Sequence, residues 1–203
     1  EPLPAVCTLD QALAPGAAVL HDGMVTKGKP ADGPSGPTNI AMRIEMRRGD
    51  AHQAFSEADL IIEDEFRTPM VHQGYIEPHA CVARYGEDGQ VVIWTTTQGH
   101  FAARDSCAGI LGIDAATIKV IPTEIGGGFG GKISVYLEPL AVALSRKAHR
   151  PVKMVMTRDE VFRASGPTSG TKIRMKIGVK RDGTIVAATT SMYYEAGAYP
   201  GSP

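Results

Sequence analysis

The feature that most constrains this chain is a glycine-rich segment, residues 126–132, which reads GGGFGGK. It follows an apolar, strand-like run at 117–121 and precedes a helix-like run at 135–148. Glycine costs backbone entropy in ordered structure, so it is favoured where φ is positive or where a ligand approaches the backbone closely. Successive exposed N–H groups at the start of a helix bind anions. This segment, called the glycine loop below, is therefore predicted to bind a phosphorylated or oxyanionic group.

Two nucleotide-binding motifs overlap in the glycine loop, and each lacks a residue that its chemistry needs. The dinucleotide pattern G-x-G-x-x-G is present, but the nearest acidic candidate, Asp159, lies well beyond the expected spacing of about 20 positions. The P-loop pattern ends in Lys132, but Ile133 stands where a Ser or Thr should hold Mg²⁺. A nucleotide-binding protein and a glycine-rich surface turn without a ligand both remain alternatives at this point.

Composition and charge exclude several classes of function. The 203 residues carry a formal net charge of −1, which offers no electrostatic footprint for nucleic acid or an anionic membrane surface. No apolar run approaches the roughly 20 residues that span a bilayer. Cys7, Cys81 and Cys107 lack C-x-x-C spacing and are predicted to be reduced thiols of a cytoplasmic protein. Because the chain begins at Glu1 without Met and ends in an apparent loop, we expect it to be a fragment.

The rest of the sequence predicts an α+β fold in which mixed sheets with β-hairpins pack against helices. Residues 1–42 are rich in Pro and Gly and are predicted to form an extended connector that follows a preceding domain. Predicted strands occupy 60–67, 81–85, 91–96, 117–121, 152–156 and a hairpin at 172–195. Predicted helices occupy 50–58, 99–111 and 135–148.

A second polar cluster lies between two predicted strands, at residues 71–80. His72, Glu77 and His79 are residue types that bind metals, but their spacing matches no compact helical ligand motif, and Pro78 prevents a helix there. The favoured alternative is that Glu77 and His79 hold this segment through hydrogen bonds to backbone groups.

A third polar group stands at the start of a predicted helix and consists of Gln98, His100 and Arg104. A helix N-terminus favours anions, and a Gln side chain both donates and accepts hydrogen bonds. The alternative is an ordinary capped and solvated start of a helix. From these residues alone, both interpretations stay open.

Three stretches together resemble the large, molybdenum-binding subunit of the xanthine dehydrogenase and aldehyde oxidase family of molybdenum hydroxylases. They are residues 75–79 (YIEPH), residues 95–98 (TTTQ) and the glycine loop with Phe129 at its centre. Their order and spacing are similar to that family's, and residues 1–6 (EPLPAV) resemble the junction after its preceding domain. The resemblance covers nearly the whole chain. It implies that residues 43–203 form the first part of a larger molybdopterin-binding domain.

The resemblance also implies a cofactor and the residues that bind it. The cofactor is a molybdenum-pyranopterin, as molybdopterin or its cytosine dinucleotide form, and the reaction is hydroxylation of an aldehyde or an N-heterocycle. Gln98, Gly127 and Gly128 are expected to contact the pterin. The backbone of Phe129 and Gly130 is expected beside the molybdenum, without ligating it. Electrons are expected to pass to iron–sulfur clusters and FAD on partner subunits or domains of an oligomeric full-length enzyme.

Several positions depart from the family pattern. Xanthine dehydrogenases carry a substrate-binding glutamate where this chain has Ile133, so purine hydroxylation is not expected. Their metal-side glutamine corresponds to Val71, and Gln73 is the expected substitute in cofactor binding. The general-base glutamate of the family is expected beyond Pro203, so no catalytic residue is predicted here and the fragment alone should be inactive. A non-catalytic scaffold that docks partner subunits is the remaining alternative.

Overall fold

The computed structural model describes residues 4–199, and these form two compact units. The central unit comprises Val71–Thr168. The flanking unit, named for its position along the sequence, is formed by the described residues before Val71 and after Thr168. The helices are α1 (Leu9–Leu13), α2 (Ala51–Ala54), α3 (His100–Leu111), α4 (Glu138–Ala148) and α5 (Arg158–Ala164). The strands are β1 (Leu60–Thr68), β2 (Ala80–Tyr85), β3 (Val91–Thr95), β4 (Ile118–Pro122), β5 (Val152–Val155), β6 (Thr171–Val179) and β7 (Ile185–Tyr194).

The central unit is built on a four-stranded sheet in the order β4-β3-β2-β5. Strands β3 and β4 are parallel, and the other neighbours are antiparallel. Alternate residues of β2 and β3 face the core, as a period of two predicts, and α3 and α4 add small residues. The buried hydrophobic cluster comprises Tyr75, Cys81, Ala83, Val91, Ile93, Cys107, Ala108, Ile118, Leu137, Ala141, Val142, Met156 and Val161.

The flanking unit contains a three-stranded antiparallel sheet in the order β1-β6-β7. The predicted hairpin is confirmed: Asp182 and Gly183 lie in its turn, and Lys180 N donates to Thr184 O over 2.9 Å. Gly183 has φ +89°, a conformation that glycine adopts without steric cost. Together, the mixed sheets, hairpins and packed helices confirm the predicted α+β class.

The boundaries of the predicted elements are close to the observed ones except at the start of α4, and α1 and α5 lie where no helix was predicted. The sequence predicted a helix over 135–148, whereas α4 begins at Glu138. Pro139 lacks an N–H group and therefore fits only the first turn of a helix. The Glu138 carboxylate also accepts a hydrogen bond from Tyr136 N over 2.9 Å, which holds the preceding chain outside the helix.

The cysteines are free thiols, as predicted. Cys81 and Cys107 are buried, and burial raises the pKa of both thiols to about 12, so they are poor nucleophiles. Cys7 is exposed. Across residues 4–199, no helix has the length and apolar character needed to cross a membrane.

Candidate functional site

The glycine loop is a defined turn between β4 and α4 in the central unit. Its backbone has positive φ at Gly127 (+91°), Phe129 (+49°) and Gly130 (+91°). Gly131 N donates to Gly128 O over 2.7 Å and closes a turn around Phe129. The left-handed conformation of Phe129 is uncommon for a residue with a side chain, and such conformations concentrate at functional sites. The loop is therefore a specific structure and not an irregular surface turn.

Three loop glycines leave room for side chains from other segments. An added Cβ at Gly126 would lie 2.7 Å from Glu77 Cβ, and one at Gly131 would lie 2.6 Å from Tyr75 Cε1. An added Cβ at Gly128 would lie 2.7 Å from Gln98 Cδ. These are the three glycines of the apparent dinucleotide motif. Their role here is close packing against Tyr75, Glu77 and Gln98.

Gln98, two residues before the first residue of α3, holds the second half of the loop. Its Oε1 accepts hydrogen bonds from Gly130 N (3.0 Å) and Lys132 N (3.1 Å). Its backbone N donates to Lys132 O over 2.9 Å. Among the described residues, its Nε2 donates to no acceptor, so this group is available to a ligand. The structure thus brings Gln98 to the loop.

The other two members of the third polar group do not bond to the loop. Arg104 pairs with its neighbour Asp105, with an N–O distance of 2.8 Å, and lies over the Phe101 ring. The His100 ring also stacks near Phe101. Their environment is that of an ordinary solvated helix start, and only Gln98 joins the site.

Lys132 points into the protein. Its side chain has 0% exposure, and Nζ donates to Glu77 Oε2 over 2.7 Å. Nζ also lies 5.1 Å from the centre of the Tyr75 ring, in cation–π range. A P-loop lysine must reach outward to phosphate oxygens. The P-loop alternative is therefore wrong, because Lys132 does not reach outward to a phosphate.

Glu77 holds the first half of the loop. Besides Lys132, its Oε2 accepts from Gly126 N over 2.8 Å. Burial raises the pKa of this carboxyl, but the hydrogen bonds from Lys132 and Gly126 outweigh burial and leave the pKa below its ordinary value. Glu77 is therefore ionised at neutral pH, and the prediction that it bonds to backbone is confirmed.

His79 differs from that prediction, because its partner is a side chain. Its Nε2 lies 2.8 Å from Tyr75 OH, which also donates to Ser165 Oγ over 3.2 Å. Burial and the nearby Lys132 charge lower the pKa of His79, so the ring is neutral at neutral pH. The neutral ring supports Tyr75, and Tyr75 in turn packs under Gly127 and Gly131.

The proposed triad of metal ligands does not form. His72 Nδ1 accepts from Gly74 N over 3.0 Å, and His79 Nε2 is engaged by Tyr75. Within residues 4–199, no group of three or more His, Cys, Asp or Glu side chains is placed to hold a metal ion.

Gln73 lies beside the glycine loop, with its Oε1 3.1 Å from the position of an added Cβ at Gly131. Its Nε2 donates to Gly166 O over 3.2 Å. Its Oε1 is buried and has no hydrogen-bond partner among the described residues. A buried acceptor without a partner costs free energy, so such groups commonly mark a site for a ligand or water.

Three successive N–H groups of the loop remain available for a ligand. Within the described part of the chain, those of Gly127, Gly128 and Phe129 donate to no acceptor, whereas that of Gly130 is used by Gln98. The Phe129 side chain is 72% exposed beside them. Successive N–H groups in alternating backbone conformations form a nest for anionic or oxo groups.

Comparisons with known proteins place this geometry in a family. The molybdopterin cofactor-binding domain family matches residues 33–203. The chain is 29% identical over 199 residues to the nicotinate dehydrogenase large molybdopterin subunit of Eubacterium barkeri, covering 98% of this chain and 44% of that protein. It is 30% identical over 200 residues to the xanthine dehydrogenase molybdenum-binding subunit of Escherichia coli O157:H7, covering 98% of this chain and 25% of that protein. The crystal structure of Cu,Mo-CO dehydrogenase matches with a TM-score of 0.71 and 28% identity, over 95% of this chain and 24% of that chain.

This chain belongs to the molybdopterin cofactor-binding domain family, and the resemblance to molybdenum hydroxylases is confirmed. The chain spans 44% and 25% of the lengths of the two curated relatives. Sequence reasoning missed two supports of the loop, Lys132 and Tyr75. Both residues lie in stretches that carried the resemblance, Tyr75 in 75–79 and Lys132 in the glycine loop, and that position was the available signal.

Proposed function

We propose that the full-length protein is a molybdenum hydroxylase and that the glycine loop binds its molybdenum-pyranopterin. The observation that carries this proposal is that the successive N–H groups of Gly127, Gly128 and Phe129 donate to no acceptor in the described part of a chain of this family. When bound, such a cofactor supplies the oxidative hydroxylation of an electron-poor carbon. The residues present fit the cofactor, because the site offers backbone and Gln98 hydrogen-bond donors and a buried acceptor at Gln73 Oε1.

Each site residue has a defined part in this proposal. Gly127 and Gly128 would donate N–H groups to oxygen or sulfur atoms of the cofactor, and Gln98 would donate from Nε2. Gln73 would accept at Oε1, which is buried and has no protein partner in the described chain. The backbone of Phe129 and Gly130 would lie beside the molybdenum without ligating it, with Phe129 N donating and Gly130 held by Gln98.

The substrate in this proposal is an aldehyde or an N-heterocycle, and the named substrates of the relatives, nicotinate and xanthine, are both N-heterocycles. Xanthine itself is disfavoured, because Ile133 offers no carboxylate to hold a purine ring. The general base would come from a glutamate beyond Pro203. The proposed layout is an extended connector at 1–42 and the first part of the cofactor domain at 43–203.

Electron transfer requires partners in this proposal. Iron–sulfur clusters and FAD on further subunits or domains would receive the electrons, in an oligomeric, cytoplasmic enzyme. The pterin would be molybdopterin or its cytosine dinucleotide form, and extraction of the nucleotide would distinguish the two.

The test is elemental analysis of the native, full-length protein purified from its source cells. We expect about one molybdenum per large subunit, with iron co-purifying. A folded native protein without molybdenum or pterin would contradict the proposal and leave the non-catalytic scaffold as the explanation. Mass spectrometry of the released pterin serves as an independent readout, because it does not depend on turnover.

A further inference from the structure

One carboxylate oxygen contacts both ends of the glycine loop. Glu77 Oε2 accepts from Gly126 N, the first residue of the loop, over 2.8 Å. The same oxygen accepts from Lys132 Nζ, on the last residue of the loop, over 2.7 Å. Glu77 N also donates to Gly126 O over 3.3 Å. The two ends of the loop are thus tied to a single residue of another segment.

The Lys132 side chain is an unusual choice for this position. Lysine is almost never fully buried unless it is paired, and here the residue is 1% exposed. An apolar side chain of similar volume commonly stabilises a buried site as well as an ion pair does. A directional role explains the charge better than stability does, because an ammonium fixes the position of the carboxylate that also holds Gly126.

The remaining hydrogen bonds of the loop show which of its residues lie between the fixed points. Gln98 fixes Gly130 and Lys132 through their N–H groups. Glu77 holds both ends of the loop and Gln98 holds its second half, and Gly127, Gly128 and Phe129 lie between these hydrogen bonds. These are the residues whose N–H groups have no acceptor in the described chain.

We propose that Glu77 and Lys132 are positioning residues, a charged pair with a buried ammonium that orients the N–H groups of Gly127, Gly128 and Phe129 toward the cofactor. This inference rests on the proposed function for the identity of the cofactor. The pair acts through the loop backbone and touches neither substrate nor metal. A purely structural pair would stabilise the fold without affecting retention of the cofactor.

The test compares three variants of the full-length protein, produced with whatever partner subunits accompany it. Glu77→Gln and Lys132→Met each break the pair. The double variant Glu77→Gln/Lys132→Met removes both charges, and its Gln amide oxygen can still accept from Gly126 N. Three quantities are measured for each variant: the midpoint of thermal unfolding, the molybdenum and pterin content per protein, and hydrogen exchange of peptides covering 126–132.

We expect the double variant to recover most of the thermal stability lost in the single variants, because no buried charge is left without a partner. We also expect its molybdenum and pterin content to stay about tenfold low and exchange in 126–132 to stay fast, as is typical when supports of a metal site are removed. A double variant with wild-type cofactor content and wild-type exchange would overturn the proposal. Absence of molybdenum from the wild type would instead overturn the proposed function, and the exchange data would still test the pair.

If the charge variants do not fold, a second pair of variants tests the positioning role of Glu77. Gly126→Ala places a Cβ 2.7 Å from Glu77 Cβ and displaces the carboxylate without removing any charge. Gly109→Ala in α3 is the matched control, because its Cβ would meet nothing within 4 Å. We expect a severalfold loss of pterin and molybdenum for Gly126→Ala only. Equal cofactor content in the two variants would count against a positioning role for Glu77.

Discussion

The glycine loop and helix α1 are both held by charged side chains, but in opposite environments. In the central unit, Lys132 has a side chain with 0% exposure and donates to Glu77. In the flanking unit, Asp10 of α1 accepts from Arg67 of β1 and Lys172 of β6, at N–O distances of 2.6 and 2.8 Å. The Asp10 and Arg67 side chains are 53% and 52% exposed. The bond lengths are similar, so burial is the main difference between the two clusters.

Burial changes what each cluster contributes. Water and salt screen the exposed cluster, so each of its bonds stabilises the fold only weakly. Arg67 and Lys172 lie directly opposite each other in the register of β1 and β6, and Asp10 offsets the repulsion between them. The Glu77–Lys132 pair is different, because loss of Glu77 leaves the buried Lys132 ammonium in an interior that cannot solvate it. Similar ionic contacts therefore secure α1 loosely and the glycine loop firmly.

The largest effect that we expect comes from Glu77→Gln. Because it leaves the Lys132 ammonium buried without a counter-charge, it should lower the free energy of unfolding of the central unit by about 3 kcal/mol. This value lies at the low end of the range for removing one partner of a buried ion pair, because Glu77 itself is 34% exposed. Hydrogen exchange of the β2 and β3 amides measures it, because the slowest amides report unfolding of the unit.

The control for this variant lies in the same unit. Asp159→Asn breaks the exposed pair between Asp159 and Arg163, whose side chains are 71% and 78% exposed. We expect almost no change in exchange of the same β2 and β3 amides. A comparable loss of protection from exchange in Glu77→Gln and Asp159→Asn would show that burial does not distinguish the Glu77–Lys132 pair from the Asp159–Arg163 pair.

A smaller effect is expected from Gly128→Ala, which tests packing in the loop without altering charge. The added Cβ would lie 2.7 Å from Gln98 Cδ and push away the side chain that holds Gly130 and Lys132. Overpacking of this kind costs about 1–3 kcal/mol. Gly36→Ala in the flanking unit is the control, because its Cβ would meet nothing within 4 Å. If thermal unfolding shifted equally in both variants, the tight packing of the loop would not matter for stability.

Local patterns were sufficient to predict most of the elements. The alternation along β6 and β7 and the Asp182–Gly183 turn define a hairpin without reference to the rest of the chain. The start of the predicted helix at residue 50 is also local, because the Asp50 side chain accepts from Gln53 N over 3.0 Å. Each of these features depends on residues that are close in sequence, which is why the sequence alone predicts them.

The supports of the loop could not be predicted in the same way, because they depend on distant residues. Gln98 and Gly130 are 32 positions apart, and Glu77 and Lys132 are 55 positions apart. The sequence motif suggested that Lys132 reaches out to a phosphate, whereas tertiary packing turns it inward to Glu77. The sequence thus pointed to the glycine loop as a special segment, and its binding role stays a prediction, but the residues that shape the loop are seen only in the fold.

The smallest effect on stability is expected from Asp10→Asn, and the size of this effect depends on pH. Hydrogen bonds from Arg67 and then Lys172 lower the pKa of Asp10 from its ordinary value of 3.8 to about 2. A carboxyl with a lower pKa in the folded state stabilises fully above its unfolded pKa, and this contribution is lost as pH falls through the folded pKa. The difference in stability between wild type and Asp10→Asn should therefore be nearly constant above about pH 5, shrink as the pH falls, and vanish only below about pH 2.

Hydrogen exchange at high salt concentration distinguishes the exposed Asp10 cluster from the Glu77–Lys132 pair. At about 1 M salt the screening length falls to about 3 Å, so the effect of Asp10→Asn on exchange of the β1 and β6 amides should shrink. The effect of Glu77→Gln on the β2 and β3 amides should persist, because buried pairs are screened much less. If high salt reduced both effects in proportion, solvent would reach the Glu77–Lys132 pair as readily as it reaches Asp10. The firm attachment of the glycine loop would then have to come from Gln98 and glycine packing alone.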